Sequence, residues 1–218
     1  MRVRRVEERA RYDAASIHEI VDASLVAHVG TVRDGQPVVI PMYCVRDGDA
    51  LLLHGAPAAG ALRRAQTGLD VCVTITLLDG LVLARSAFHH SMNYRSVVVL
   101  GTAEALVDEA DKARALDLFV ERLTPGRQGA LRATTAKEVR ATEVLRLPLD
   151  RASAKVRTGP PKDDEDDYAL DIWAGVVPLH TTYGAPESDP RLAPEVRLPD
   201  QVATLASSLV EASCHQSV

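Results

Sequence analysis

Short apolar runs separated by tight polar turns dominate the first two thirds of the chain. Their length and their β-branched content predict strands over residues 25–32, 38–45, 50–54, 71–78, 81–88, 94–105 and 142–149. Asp-Gly pairs at 34–35, 47–48 and 79–80 are typical of hairpin turns. Pro41 has no backbone N–H, so its strand is predicted to lie at a sheet edge or to carry a bulge there.

Helical spacing of apolar residues appears in four further segments. It predicts helices over residues 13–23, 58–67, 108–123 and 199–212. Strands that follow one another through tight turns favour an antiparallel barrel or sandwich over a parallel α/β sheet. The predicted fold is therefore mainly β, an antiparallel barrel with flanking helices.

The chain divides into two unequal parts. Residues 1–158 hold the predicted barrel and its N-terminal helix. Residues 159–218 begin with a proline-rich and then acidic stretch and contain the only tryptophan, Trp173. This C-terminal extension is predicted to pack on the barrel or on a dimer partner, because it lacks the pattern of an independent domain.

Composition narrows the function. Aromatic residues make up only 4% of the chain, and the net charge of -5 argues against a nucleic-acid partner. Five arginines among the first eleven residues indicate a solvated helix face, with a nucleic-acid-binding arm as the alternative. Without an apolar run after those arginines or a long apolar stretch, we expect no signal peptide, no membrane span and a cytoplasmic location.

Motifs for several enzyme classes are missing from the sequence. It contains no GxGxxG, P-loop, GxSxG or HExxH pattern, and its three cysteines form no CxxC pair. His89 and His90 are expected to point to opposite sides of a strand, without a carboxylate to complete a ligand set. We therefore predict no metal site, and no residue is identified as a catalytic acid or base.

Three segments carry candidate binding residues. The polar stretch 86–96 leads into an apolar strand, where Arg95 favours an anion or, alternatively, an internal salt bridge. His54 closes a strand before a glycine-rich helix start, where backbone N–H groups can hold a phosphate; its alternative role is structural. Lys155 and Arg157 either pair with the acidic residues 163–167 or cover an anionic cofactor.

These segments together resemble a known family. The similar motifs are Arg9-Ala10-Arg11-Tyr12-Asp13, residues 49–55 (DALLLHG), 76–85 (TLLDGLVLAR), 88–96 (FHHSMNYRS), 153–157 (SAKVR) and 173–179 (WAGVVPL). They span residues 9–180. The chain resembles the FMN-binding split β-barrels, in the flavin-nucleotide-binding branch related to pyridoxamine 5'-phosphate oxidase, which includes nitroimidazole-resistance proteins.

The resemblance implies a homodimer with two FMN grooves between its subunits, acting as an oxidoreductase on a small organic substrate. The flavin ring would contact the strand around Val39, Ile40, Pro41 and Met42. The resemblance further implies that the remaining cofactor contacts come from His54, Gly55, Gly60, Ala61, Arg63, Arg95, Ser96, Lys155 and Trp173.

One departure from the family pattern changes this picture. Relatives carry Ser and then Arg or Lys for the flavin phosphate where this chain has Ala59 and Gly60. Either Arg63, Arg64 or the backbone at Gly60 and Ala61 replaces them, or the groove holds haem or a deazaflavin. The alternative function is thus a non-catalytic flavin- or haem-binding protein, with His54 as an axial haem ligand. A third possible function is that of a dimeric scaffold without a cofactor.

Overall fold

Nine antiparallel strands curl into one sheet within residues 5–55 and 68–207, which the computed structural model describes. They are β1 (Ala10–Arg11), β2 (Val26–Arg33), β3 (Gln36–Asp47), β4 (Ala50–Gly55), β5 (Leu69–Leu83), β6 (Ser91–Ala105), β7 (Glu143–Pro148), β8 (Ala152–Arg157) and β9 (Gly175–Pro178). The order is β1-β8-β6-β7-β4-β3-β2-β5-β9, and β5 also pairs with β6. That extra pairing closes a ring, so the predicted antiparallel barrel is confirmed.

Helices begin at side chains that cap free backbone N–H groups. The described helices are α1 (Ala14–Asp22), α2 (Glu109–Leu123), α3 (Ala136–Ala141) and α4 (Asp200–Ser207). Asp13 caps α1 by accepting from the Ser16 backbone N–H at 2.8 Å, and Asp108 caps α2 in the same way. Such caps stabilise a helix by about 0.5–2 kcal/mol each.

The apolar residues separate into two packed clusters. The larger one fills the ring, where Leu51, Leu53, Val73, Val97 and Val99 are fully buried and α1 adds Ile17, Ile20 and Val21. The smaller one lies between α2 and the other side of β3, β4 and β7. Strand β4 therefore buries both of its faces, which explains its continuous Leu51-Leu52-Leu53 run.

Asp79-Gly80 is not a hairpin turn, so that prediction is wrong. Residues 69–83 form one long strand, with a bulge between Leu78 and Gly80 where the register to β6 shifts. Gly80 is required for a different reason: a Cβ there would lie 3.0 Å from the carbonyl oxygen of Val177 in β9. The predicted turns at Asp34-Gly35 and Asp47-Gly48 are confirmed, with positive φ at Asp34, Gly35 and Gly48.

Part of the C-terminal extension packs on the barrel. Strand β9 pairs with residues 80–83 of β5, and the Asp163 side chain is inaccessible to solvent. The helix predicted at 199–212 is confirmed as far as Ser207, whereas the one predicted at 58–67 lies outside the described residues. None of the described helices is long and apolar enough to cross a membrane.

Candidate functional site on the outer sheet face

The sheet face opposite the ring core carries apolar and polar side chains that the described residues leave partly exposed. A continuous cross-strand row on this face joins Pro41, His28, Thr74, Val98 and Ser153. The next row joins Val39, Gly30, Cys72 and Leu100. Val39 is 63% exposed and Val26 46% exposed. We call this surface the outer face; its exposed valines are unusual for a surface that meets only water.

The residues of β3 that are predicted to contact the flavin ring point to opposite sides of the sheet. Val39 and Pro41 belong to the outer face, where both are exposed. Met42 packs against the ring core, and Ile40 has the same orientation but is 36% exposed near the rim. At Pro41, β3 pairs with β2 alone among the described strands. This agrees with the edge position predicted from the missing backbone N–H of proline.

His54 lies at the edge of the outer face, beneath α2. Its ring centroid is 4.5 Å from that of Phe119 and 5.8 Å from that of Tyr43, both nearly edge-on. The Tyr43 hydroxyl donates to the Phe119 carbonyl oxygen at 2.8 Å and fixes this arrangement. Within the described part of the chain, no residue hydrogen-bonds to the His54 imidazole, and burial lowers its pKa below the usual 6.5. Among residues 5–55 and 68–207, neutral His54 therefore has a ring nitrogen without a hydrogen-bond partner.

Arg95 and Ser96 point to opposite sides of β6. The Arg95 guanidinium donates to both carboxylate oxygens of Asp79, at 2.9 and 3.1 Å, and lies 3.5 Å from Glu19. These contacts, the hydrogen bonds to Asp79 above all, raise the pKa of Arg95. The structure thus supplies the internal salt bridge that was the alternative to anion binding. Ser96 lies on the outer face and donates to the Lys155 carbonyl oxygen at 3.3 Å.

Lys155 and Arg157 differ sharply in their surroundings. Lys155 is half-buried beside Ser96 on the outer face, and no acidic side chain of the described residues forms an ion pair with it. Arg157 is only 7% exposed and donates to Asn93 and to the carbonyl oxygens of Gly159 and Pro160. Pairing of Arg157 with the acidic residues 163–167 is therefore wrong, because its guanidinium instead fixes the chain reversal after β8.

Arg85 is the barrel cation that binds the acidic segment. Its backbone N–H and its Nη1 each donate to Asp163 at 2.9 Å, and its guanidinium lies 5.0 Å from the centre of the Tyr168 ring. Although burial opposes this, hydrogen bonds from Arg85 hold the pKa of Asp163 below its usual value. Sequence reasoning missed this pair, because Arg85 and Asp163 are distant in the chain and no local pattern links them.

The remaining predicted cofactor contacts are Trp173 and residues at or after the end of β4. The Trp173 ring is 68% exposed and lies over Gly175, where a Cβ would come within 2.9 Å of it. Gly55 ends β4 beside His54, whereas Gly60, Ala61 and Arg63 lie outside the described residues. Of the predicted cofactor contacts, the outer face thus brings together Val39, Pro41, Ser96 and Lys155, with His54 at its border.

His89 does have carboxylate neighbours, so that part of the argument against a metal site is wrong. Ala87–His89 form a 3₁₀ turn and not a strand, so strand alternation does not apply to them. The turn places His89 close to Asp163 and Asp167. Strand β6 begins only at Ser91.

Comparison with known proteins places this architecture. The family model for pyridoxamine 5'-phosphate oxidase matches residues 13–156. The chain belongs to the pyridoxamine 5'-phosphate oxidase family. The match covers the ring strands and the outer face, so the resemblance drawn from the sequence motifs is confirmed. No curated protein matches the chain closely enough to name as a relative.

Two solved structures are similar over almost the whole chain. The flavocytochrome Anf3 from Azotobacter vinelandii is 45% identical, with a TM-score of 0.89 over 93% of this chain and 94% of that one. An FAD- and haem-binding protein from Mycobacterium smegmatis is 39% identical, with a TM-score of 0.87 over 91% and 97%.

A third structure is similar over two thirds of the chain. A candidate 5-nitroimidazole antibiotic resistance protein from Bacteroides thetaiotaomicron is 28% identical, with a TM-score of 0.55 over 67% of this chain and 86% of that one. The likeness to the first two structures extends into the C-terminal extension, because they cover more than nine tenths of this chain.

Proposed function

We propose that this protein is a homodimeric redox protein that binds a flavin nucleotide and a haem. The observation that carries the proposal is the pair of similar structures, 45% and 39% identical over nearly their full length, named as a flavocytochrome and as an FAD- and haem-binding protein. The outer face and His54 supply the features that fit the two groups.

The outer face fits a flavin at a subunit interface. A flavin combines a flat apolar ring with an anionic phosphate, and this face combines exposed valines with the half-buried cation of Lys155. A second copy of the chain would cover the apolar area that remains, because a large bare apolar face is costly in water. Flavin chemistry is hydride and electron transfer, and the protein supplies orientation and electrostatics.

FAD is the flavin that we propose. The resemblance to FMN-binding barrels predicted FMN, but the relative that is 39% identical is named for FAD. FMN and FAD share the ring and the first phosphate, so Ser96 and Lys155 would serve either. The missing Ser-Arg or Ser-Lys pair at Ala59 and Gly60 removes donors for a single phosphate, which is the part of the site where the two cofactors differ.

His54 is our candidate axial haem ligand. Haem iron is bound by a neutral imidazole nitrogen, and the lowered pKa of His54 keeps its ring neutral at pH 7. Phe119 and Tyr43 give the imidazole an apolar flank and restrict its rotation. His28 is an alternative ligand, since it is exposed in the middle of the outer face.

Cofactor content of the purified protein tests the proposal. Protein produced with added haem precursor is expected to show a Soret band and flavin bands, and the flavin released by heat denaturation is expected to co-migrate with FAD. His54→Ala should lose the Soret band but keep the flavin, whereas His90→Ala should keep both. FMN in the extract would favour the FMN-dependent oxidoreductase, and retention of haem in His54→Ala would move the ligand to His28.

A further inference from the structure

A histidine and two aspartates converge where the C-terminal extension meets the barrel. His89 comes from the 3₁₀ turn before β6, and Asp163 and Asp167 come from the extension. Each contributes one ligand atom, and these atoms all lie within 4.8 Å of one another. We propose that this cluster binds a divalent metal ion of the Zn²⁺ class and ties the extension to the barrel.

His89 is held in the orientation that a metal ligand needs. Its Nδ1 shares a 2.8 Å hydrogen bond with the Ser86 hydroxyl, so Nε2 is the nitrogen that faces the carboxylates. Phe88 packs edge-on against the same ring at 5.2 Å. An outer partner on one imidazole nitrogen is the usual way in which proteins fix the other nitrogen toward a metal.

The two aspartates complement each other. Asp163 is fixed by Arg85, and each of its oxygens retains a lone pair beyond the one that Arg85 occupies. Asp167 is half-buried, yet no donor among the described residues hydrogen-bonds to its carboxylate. A bound cation would give this carboxylate a partner that the described residues do not supply.

Local charge also favours a cation. Residues 163–167 are five consecutive acidic side chains, and the basic groups beside them are Arg85 and Lys162. Asp164 adds a carboxylate oxygen 3.7 Å from His89 Nε2.

The spacing fits a small ion after minor side-chain rotation. Zn²⁺ binds imidazole nitrogen and carboxylate oxygen at about 2.0–2.2 Å, so tetrahedral ligand atoms lie about 3.3–3.6 Å apart. The atoms of the cluster are within 4.8 Å of one another, so each has to move by about 1 Å or less. Three protein ligands leave a fourth position for water.

Calorimetric titration of the purified full-length protein with Zn²⁺, after treatment with a chelator, tests the proposal. The parent protein is expected to bind one Zn²⁺ per chain at this site. His89→Ala and the isosteric Asp167→Asn should weaken that binding by more than the roughly 10- to 100-fold that loss of an outer partner costs. Ser86→Ala should fall within that range, because Ser86 only orients His89.

Asp166→Asn is the matched control, since it removes one charge from the exposed side of the same turn. It should leave Zn²⁺ affinity within about twofold, given how little exposed charges contribute. No Zn²⁺ binding by the parent protein would overturn the proposal. So would equal affinity in His89→Ala, Asp167→Asn and the parent, because the metal would then lie elsewhere. The proposal does not rest on flavin or haem, and the titration reads the metal alone.

Discussion

The two halves of strand β3 differ in whether their outer side is covered. Toward its end at Asp47, Tyr43 and Val45 are covered by α2, whose Phe119 packs against them and is only 4% exposed. Toward its start at Gln36, Val39 and Pro41 have the same orientation but no cover from the described residues. Within residues 5–55 and 68–207, the chain thus builds its own lid, α2, over one half and leaves the other half bare, where we propose that a cofactor and a second subunit bind.

The largest expected effect is on the covered half. Phe119→Ala removes the ring that joins α2 to Val45, Leu52 and His54. It should lower the free energy of unfolding by about 3–5 kcal/mol, as truncation of buried Phe does. Denaturant unfolding measures this, and Val107→Ala is the control because Val107 is 83% exposed. Equal stability of the two variants would mean that α2 is not the lid.

The next effect concerns the bare half. Val39→Glu places a charge on the outer face without touching the ring core, so the subunit should fold but no longer dimerise. Light scattering on a sizing column should change from the mass of a dimer to the 23.5 kDa of one chain. Val107→Glu should remain a dimer. A Val39→Glu protein that is still dimeric would place the subunit interface elsewhere.

Two cysteines report on the two faces of the sheet. Cys44 is 1% exposed and burial raises its pKa to about 11, whereas Cys72 is exposed on the outer face. In a Cys214→Ser background, Cys44 should not react with a thiol reagent until unfolding, because the thiolate is the reactive form.

Cys72 should react slowly in the dimer and rapidly in Val39→Glu, since the partner subunit would cover it. Thiol titration over time measures both rates. Rapid reaction of Cys72 in the dimer would show that the bare half stays bare, and that the second subunit does not lie there.

The smallest effect is on pH dependence and involves His54 at the border of the two halves. Its folded-state pKa is lowered by burial, so the unfolded chain binds the proton first as the pH falls. The stability that comes from His54 being harder to protonate in the folded protein is complete above about pH 6.5. It is lost as the pH falls through the folded-state pKa. Unfolding of the cofactor-free protein between pH 7.5 and 5 should therefore depend less on pH in His54→Gln. Identical slopes would mean that His54 titrates alike in both states.

Periodicity was enough to predict the barrel, because strand patterns and turn residues are local. It failed at Asp79-Gly80, where Gly80 is required by the approach of β9, a contact that no local pattern contains. The same holds for the Arg85–Asp163 pair, which the chain assembles from distant segments.

The candidate site was only partly predictable for a similar reason. Strand alternation correctly separates Arg95 from Ser96, but the carboxylates that occupy Arg95 come from the bulge at Asp79 and from Glu19 in α1. The motifs identified the family, but they do not show which surface of the barrel binds a cofactor. The cofactor and second subunit that we propose for the outer face depend on the shape of the whole surface, which no local pattern contains.

The absorbance spectrum of the purified protein, followed by extraction of any bound flavin, tests the central claim most directly. The account predicts a Soret band together with flavin bands, FAD in the extract, and loss of the Soret band alone in His54→Ala. A colourless dimer that takes up neither flavin nor haem on incubation would contradict the claim and leave only a scaffold.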